Sequence, residues 1–274
     1  MHFTKVHGLG NDFILLDGRK ETYDYNALAV RLCRRQTAIG ADGLLILLES
    51  KKADLRMRII NADGSEAEMC GNGIRCFAKY AFERGIVNKT EFSVETLAGV
   101  MRPKLTVKDG IVTGVTVDMG EPFLQCEEIP VVGTGTCIDR ELKAGGETLR
   151  YTSVLVGVPH TVIYVDDPTD KKWMNMGWEI EHASVFPKRT NVNFAHVVDD
   201  HTVILRTFER GCGPTLACGT GACGTAVASA LNKKTGRSVD VKIELGTLHI
   251  DWAEDNHVYM TGPAEIVFEG EIKL

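Results

Sequence analysis

Several features that would assign this chain to a class at once are missing from it. It has no block of basic residues, and its formal net charge is -6, so sequence-independent binding to nucleic acid is not expected. It has no long apolar segment. The longest strongly apolar run is Leu44-Leu45-Ile46-Leu47-Leu48, whereas a membrane helix needs about 20 such residues. The N-terminus, Met1-His2-Phe3-Thr4-Lys5-Val6, carries no apolar signal-peptide stretch. A cytoplasmic protein with no membrane partner is therefore expected. Low-complexity tracts and long linkers are absent too. No Cys-x-x-Cys pair occurs, which leaves a zinc ribbon or finger without support.

What remains is an ordinary globular composition, 44% hydrophobic and 25% charged over 274 residues, long enough for one large domain or two smaller ones. Eight cysteines are present. With no export signal they read as free, catalytic or metal-binding thiols rather than as disulfides.

Two of them sit in a repeated context. Cys70-Gly71-Asn72-Gly73 and Cys218-Gly219-Thr220-Gly221 share the form Cys-Gly-x-Gly. Each is followed by apolar residues on one helical face: Ile74, Phe77, Ala78, Ala81 and Phe82 in the first, and Cys223, Ala226, Val227, Ala230 and Leu231 in the second. Lys79, Arg84 and Gly85 read as stop signals for the first helix, and Lys233, Lys234 and Gly236 for the second. A strand-like stretch precedes each motif, Leu55 to Ile60 and Val203 to Phe208. Asn61 and Glu209 each lie nine residues before their cysteine. Further upstream, Gly10-Asn11-Asp12-Phe13 leads into an apolar strand as Gly157-Val158-Pro159-His160 does, 60 and 61 residues before Cys70 and Cys218. This order predicts two homologous halves related by a pseudo-two-fold axis. Short-period alternation predicts further strands at Ile111 to Met119, Val239 to Leu245 and Leu248 to Trp252, and a helix fits Asn26 to Arg35. With many strands and few long helices the class is α+β. The expected halves are 1–118 and 119–263, with the last segment, 264–274, returning to the first half and the active site in the cleft between them.

A cysteine just before a helix start lies in positive potential that favours its thiolate, and glycines there let a ligand approach the free N–H groups. Two such motifs facing one another suit two-base epimerisation. One thiolate removes an α-proton, the opposite thiol delivers one to the other face, and the helix N-termini hold the carboxylate. Cys33, Cys126 and Cys137 read as buried small hydrophobes, as do Cys76 and Cys223 on the apolar faces; Cys212 is open.

Across essentially its whole length the sequence resembles the diaminopimelate epimerases. The resemblance rests on Lys5-Val6-His7-Gly8-Leu9-Gly10-Asn11-Asp12-Phe13, Gly40-Ala41-Asp42-Gly43, Asn61-Ala62-Asp63-Gly64-Ser65, the two cysteine motifs, Phe186-Pro187-Lys188-Arg189-Thr190-Asn191 and Phe208-Glu209-Arg210-Gly211. It implies two similar halves, each a β-sheet wrapped around a central helix. It also implies interconversion of LL- and meso-diaminopimelate with no cofactor and no metal. Cys70 and Cys218 become the acid/base pair, with His160 and Glu209 tuning them. The amides at Gly71, Asn72, Gly219 and Thr220 would hold the reacting carboxylate. Asn11, Asn61, Asn191, Glu209 and Arg210 fall where the family contacts its small-molecule substrate. The family is often dimeric, which makes a homodimer a candidate assembly. Many relatives carry asparagine where Val158 stands, so that contact is rearranged, taken by another side chain, or lost, and some carry glutamine where Gly43 stands, so no side-chain contact is available there. A proline or hydroxyproline racemase on the same fold, and a non-enzymatic thiol metal or redox protein, are the competing readings.

Overall fold

A computed structural model describes residues 1–273. The chain runs β1 (His2–Gly8), β2 (Asn11–Asp17), α1 (Tyr25–Leu32), β3 (Gly43–Leu48), β4 (Leu55–Asn61), β5 (Glu66–Ala67), α2 (Gly71–Glu83), β6 (Val94–Thr96), β7 (Gly99–Met101), β8 (Lys104–Lys108) and β9 (Ile111–Asp118). It continues with β10 (Arg140–Ala144), β11 (Glu147–Val156), β12 (Val158–Tyr164), α3 (Lys171–Glu181), β13 (Asn191–Asp199), β14 (Thr202–Glu209), β15 (Gly213–Thr215), α4 (Gly219–Leu231), β16 (Ser238–Ile243), β17 (Gly246–Trp252), β18 (Val258–Gly262) and β19 (Glu265–Glu271). Contacts divide it into two units, Met1–Asp118 with the chain from Thr261 onward, and Met119–Met260.

The first unit holds an eight-stranded sheet in the order β19-β1-β2-β3-β4-β6-β7, with β5 on β4. β1 pairs antiparallel with both β2 and β19, β2 parallel with β3, and β3 antiparallel with β4. The second unit repeats this plan. There β11 and β12 are antiparallel, β12 and β13 parallel, β13 and β14 antiparallel, β14 and β16 parallel, and β15 sits on β14 as β5 sits on β4. The duplication read from the two motifs thus extends to strand order and direction.

Each unit wraps its sheet around one helix. α2 packs on β1, β2, β3, β4, β9 and β19, and α4 on β11 to β14, β16 and β17. Every residue of α2 from Asn72 to Ala81 is buried, as is Gly221 to Ser229 in α4. A helix enclosed on all sides cannot leave a polar face to water, so the charges it carries need partners inside. Lys79 donates to Glu83 Oε1 at 2.7 Å and to the Val112 carbonyl at 2.9 Å. Arg75, with no exposed surface, donates to the carbonyls of Gly71 at 3.0 Å and Pro263 at 3.1 Å. Burial of Phe77 at the centre of α2 contributes about 1.5–3 kcal/mol.

Both helices end in the same way, the first at its glycine stop signal and the second not at its own. Gly85 N–H donates to Phe82 O and Ile86 N–H to Ala81 O, both at 2.9 Å; Lys233 N–H donates to Ala230 O at 3.0 Å and Lys234 N–H to Ser229 O at 2.9 Å. This is a paired Schellman closure. The left-handed position is Gly85 (φ 66°) in one helix and Lys233 (φ 56°) in the other. Gly236 lies beyond the closure, and Lys79 serves the core rather than the helix end.

Two other expectations need correction. The helix expected to reach Arg35 ends at Leu32, because loop amides of Gly40 and Ala41 take the Leu32 and Cys33 carbonyls at 3.0 and 3.2 Å. The strand expected to reach Leu245 stops at Ile243, where the tight turn into Gly246 (φ 151°) begins.

Candidate active site

Cys70 and Cys218 each occupy the residue immediately before a 13-residue buried helix, in extended backbone (φ -142°, ψ 118° and φ -122°, ψ 104°). Each carbonyl accepts the first helical bond, from Ile74 N–H at 2.9 Å and Ala222 N–H at 3.0 Å. Helix geometry leaves the amides of Gly71 and Asn72, and of Gly219 and Thr220, without an intrahelical acceptor. A thiol and a pair of donors therefore share each turn. The second glycine of each motif is a matter of space. A Cβ on Gly73 would lie 3.1 Å from Leu45 Cδ2, and one on Gly221 would lie 2.7 Å from Asn193 Oδ1 and 3.2 Å from the Cys218 sulfur.

Around Cys70, the sulfur accepts from Gly73 N–H at 3.4 Å and donates to Asn11 Oδ1 at 3.6 Å. The Asn72 side-chain amide donates to the same oxygen at 3.1 Å, and Asn72 Oδ1 is buried with no partner among the described residues. Asn61 stands exposed, its amide donating to Ser65 Oγ at 2.9 Å.

Around Cys218 the chemistry differs. The position equivalent to Asn11 is Val158, which has no amide to offer. Thr220 Oγ1 lies 3.6 Å from the sulfur instead. The thiol is 6% exposed, and burial first and the Glu209 charge second push its pKa well above the ordinary value. This corrects the expectation that the helix start would favour a thiolate here: desolvation and a neighbouring carboxylate outweigh the hydrogen bonds from Thr220 and the Gly221 N–H. Cys218 is a neutral thiol, the form that delivers a proton.

His160 is completely buried on β12, packed against Gly224 of α4. Its Nδ1 accepts from Asn193 Nδ2 at 3.1 Å, so the proton sits on Nε2, which has no partner among the described residues. Burial first and the Arg210 charge second lower its pKa to about 3, so the ring is neutral. Asn191, also buried, donates to Pro159 O at 2.9 Å and accepts from the Arg210 backbone N–H at 2.9 Å. The Arg210 guanidinium donates to Lys188 O at 3.0 Å. Glu209 Oε1 accepts from Thr215 Oγ1.

Reading the sequence passed over Asn193. It holds His160 with one end of its amide and accepts from Thr207 Oγ1 at 3.0 Å with the other. The available signal was a polar residue two places after Asn191 in an otherwise apolar buried strand. Cys33, Cys76, Cys126, Cys137 and Cys223 are all buried and Cys212 is exposed.

The family model for diaminopimelate epimerase matches residues 3–124 and 152–267. The chain belongs to the diaminopimelate epimerase family. Among relatives named diaminopimelate epimerase, that of Moorella thermoacetica is 51% identical over 278 residues, covering 100% of both chains. That of Pelotomaculum thermopropionicum is 53% identical over 275 residues, covering 99% of this chain and 98% of its own. Solved structures share the fold at low identity. A hydroxyproline epimerase from Agrobacterium vitis aligns with a TM-score of 0.69 at 16% identity, covering 98% of this chain and 91% of that one. A PhzF-family phenazine biosynthesis protein from Bacillus anthracis aligns at 0.69 and 18%, covering 100% and 99%. The architecture of the diaminopimelate epimerase family is thus an α+β one of large sheets and few helices, shared with proteins of other names.

Proposed function

We propose that this chain interconverts LL- and meso-diaminopimelate by a two-base mechanism in which Cys70 and Cys218 act on opposite faces of one α-carbon. The observation that carries the reading is the repeated placement of a cysteine at the start of an enclosed helix, in a chain about half identical to relatives named diaminopimelate epimerase.

In this scheme one sulfur takes the α-proton and the other returns a proton from the far side. The buried neutral thiol of Cys218 suits the proton donor when the substrate centre faces Cys70. The amides of Gly71, Asn72, Gly219 and Thr220 stabilise charge developing on the carboxylate, so the reaction needs neither cofactor nor metal. Glu209 holds Cys218 protonated, and His160 offers its Nε2–H as a neutral donor. Asn11 and Glu209 contact the substrate, and Asn61, Asn191 and Arg210 hold its second, unreactive amino acid head. A guanidinium suits its carboxylate, and amide oxygens suit its ammonium. A one-headed amino acid such as proline would leave those groups unpaired and is rejected. The same reading takes the protein as a cytoplasmic homodimer.

Incubation with LL-diaminopimelate in heavy water tests this. The expected result is α-deuterium in the product together with the meso isomer, and no exchange on proline. Turnover of proline alone would transfer the chain to the proline racemase reading. Stoichiometric zinc with no α-hydrogen exchange would favour the thiol metal protein.

A further inference from the structure

Asn11 meets the Cys70 sulfur with its oxygen, and an asparagine amide can present either end. Two contacts bear on the choice. Asn72 Nδ2 donates to the same oxygen at 3.1 Å, but the Asn72 amide can turn to offer its unpartnered Oδ1 instead, so the fixed constraint lies on the other side of the Asn11 amide. Asn11 Nδ2 donates to Asp42 Oδ2 at 2.7 Å. A carboxylate only accepts hydrogen bonds. The reversed amide would set Asn11 Oδ1 against Asp42 Oδ2, two acceptors in contact, and would turn an N–H toward the sulfur.

Asp42 is itself firmly held. Its Oδ2 also accepts from Asp12 N–H at 3.1 Å, and its Oδ1 accepts from Arg35 Nη2 at 2.7 Å. Its backbone N–H donates to Asp12 O at 2.9 Å, and its carbonyl accepts from Ala62 N–H at 3.0 Å. Arg35 also pairs with Asp12 Oδ1 at 2.7 Å, and Lys5 donates to Asp12 Oδ2 at 2.5 Å. The carboxylate that faces Asn11 is therefore tied to β2, to the loop before β3 and to the turn after β4.

We propose that Asp42 is a positioning residue, which sets the end of the Asn11 amide that faces Cys70. With the oxygen inward, the Cys70 S–H has an acceptor and the neutral thiol is favoured. With the N–H inward, the thiolate would be favoured instead. In the reaction proposed above, on which the catalytic meaning of this inference rests, the control matters because Cys70 must carry a proton in one direction and take one in the other. Asp42 touches neither sulfur nor substrate. The charged groups around the Asn11–Asp42 contact are Asp12, Lys5 and Arg35, with Arg75 on α2 one turn beyond Cys70.

The test is the rate of Cys70 alkylation by iodoacetamide between pH 6 and 10, read by peptide mass spectrometry on the full chain, for wild type, Asp42→Ala and Asp42→Asn. Asp42→Ala frees the amide, and the midpoint for Cys70 is expected to fall by about one pH unit. Asp42→Asn removes the charge yet keeps an oxygen for Asn11 Nδ2 and Asp12 N–H, since the half-exposed Arg35 can swing aside. Its midpoint is expected to stay within about 0.3 units of wild type, with kcat restored from a roughly tenfold loss in Asp42→Ala to within about twofold. If Asp42→Ala does not fold, Asp42→Ser, too short to reach Asn11, takes its place with the same expectation. An unchanged midpoint in the folded alanine or serine variant overturns the proposal. So does a midpoint in Asp42→Asn displaced as far as in Asp42→Ala, because charge rather than amide orientation would then be the cause. A displaced midpoint in a protein that does not turn over diaminopimelate would sink the proposed reaction and leave the orienting role standing.

Discussion

Replacing Gly221 with alanine probes how tightly the second Cys-Gly-x-Gly turn is built. The new Cβ would stand 2.7 Å from Asn193 Oδ1 and 3.2 Å from both Cβ and Sγ of Cys218. Asn193 has no easy retreat. It is fully buried, its Oδ1 is held by Thr207 and its Nδ2 by His160. Overpacking of this kind costs about 1–3 kcal/mol, and removing a helical glycine returns at most about 1 kcal/mol. A net loss of about 1–2 kcal/mol lowers the melting temperature by roughly 2–4 °C for a chain of this size. Because the clash displaces the thiol itself, epimerase activity should fall by about a hundredfold, the cost of an ångström's misplacement at a reacting group. Gly73→Ala is the internal control. Its Cβ meets Leu45 Cδ2 at 3.1 Å, the end of a side chain that can rotate, and its stability should change by no more than about 0.5 kcal/mol. Calorimetry and a coupled assay of both variants decide the matter. A Gly221→Ala protein as stable and active as wild type, or a Gly73→Ala protein that is worse, would refute the packing argument.

Other expectations follow from the same geometry. Lys233 holds the left-handed position that glycine fills at Gly85, so Lys233→Gly should stabilise the chain by about 0.5–1 kcal/mol in thermal unfolding; no gain would show that the strain is relieved elsewhere. His160 keeps a folded-state pKa of about 3 against 6.5 in the unfolded chain, so the unfolded state binds the extra proton between those values. Its contribution is therefore complete above pH 6.5 and is lost as pH falls toward 3, by up to about 1.4 kcal/mol per pH unit. His160→Gln should flatten that part of the stability profile, and an unchanged slope would show that the histidine is not the group responsible. Glu209→Gln should bring the Cys218 thiol down, read as faster alkylation of Cys218 at neutral pH; equal rates would mean that burial alone sets it.

The doubled motif was legible because its signals are local: cysteine, two glycines and an apolar stripe at helical spacing predict a buried helix behind a thiol, and both helices begin at the expected residue. Helix ends were less legible. Whether lysine or glycine takes the left-handed position depends on the chain that follows, and a left-handed Lys233 has no mark in the sequence. The protonation of Cys218 was hidden for a different reason. The helix start can be read from sequence, but burial of the thiol and its neighbour Glu209 become visible only in the fold. Val158 was visible as a departure from relatives, whereas the replacement partner, Thr220, could be found only from the distance to the sulfur. Asp42 acts through the Asn11 amide and Asn193 through the His160 ring, and no spacing rule points to such residues.

In the proposed reaction two thiols, one from each half of the duplicated chain, serve one carbon. Assaying Cys70→Ala and Cys218→Ala separately for conversion of LL- to meso-diaminopimelate tests it most directly. Each variant should lose at least about a thousandfold in turnover while remaining folded; near-normal conversion by either one would contradict the account.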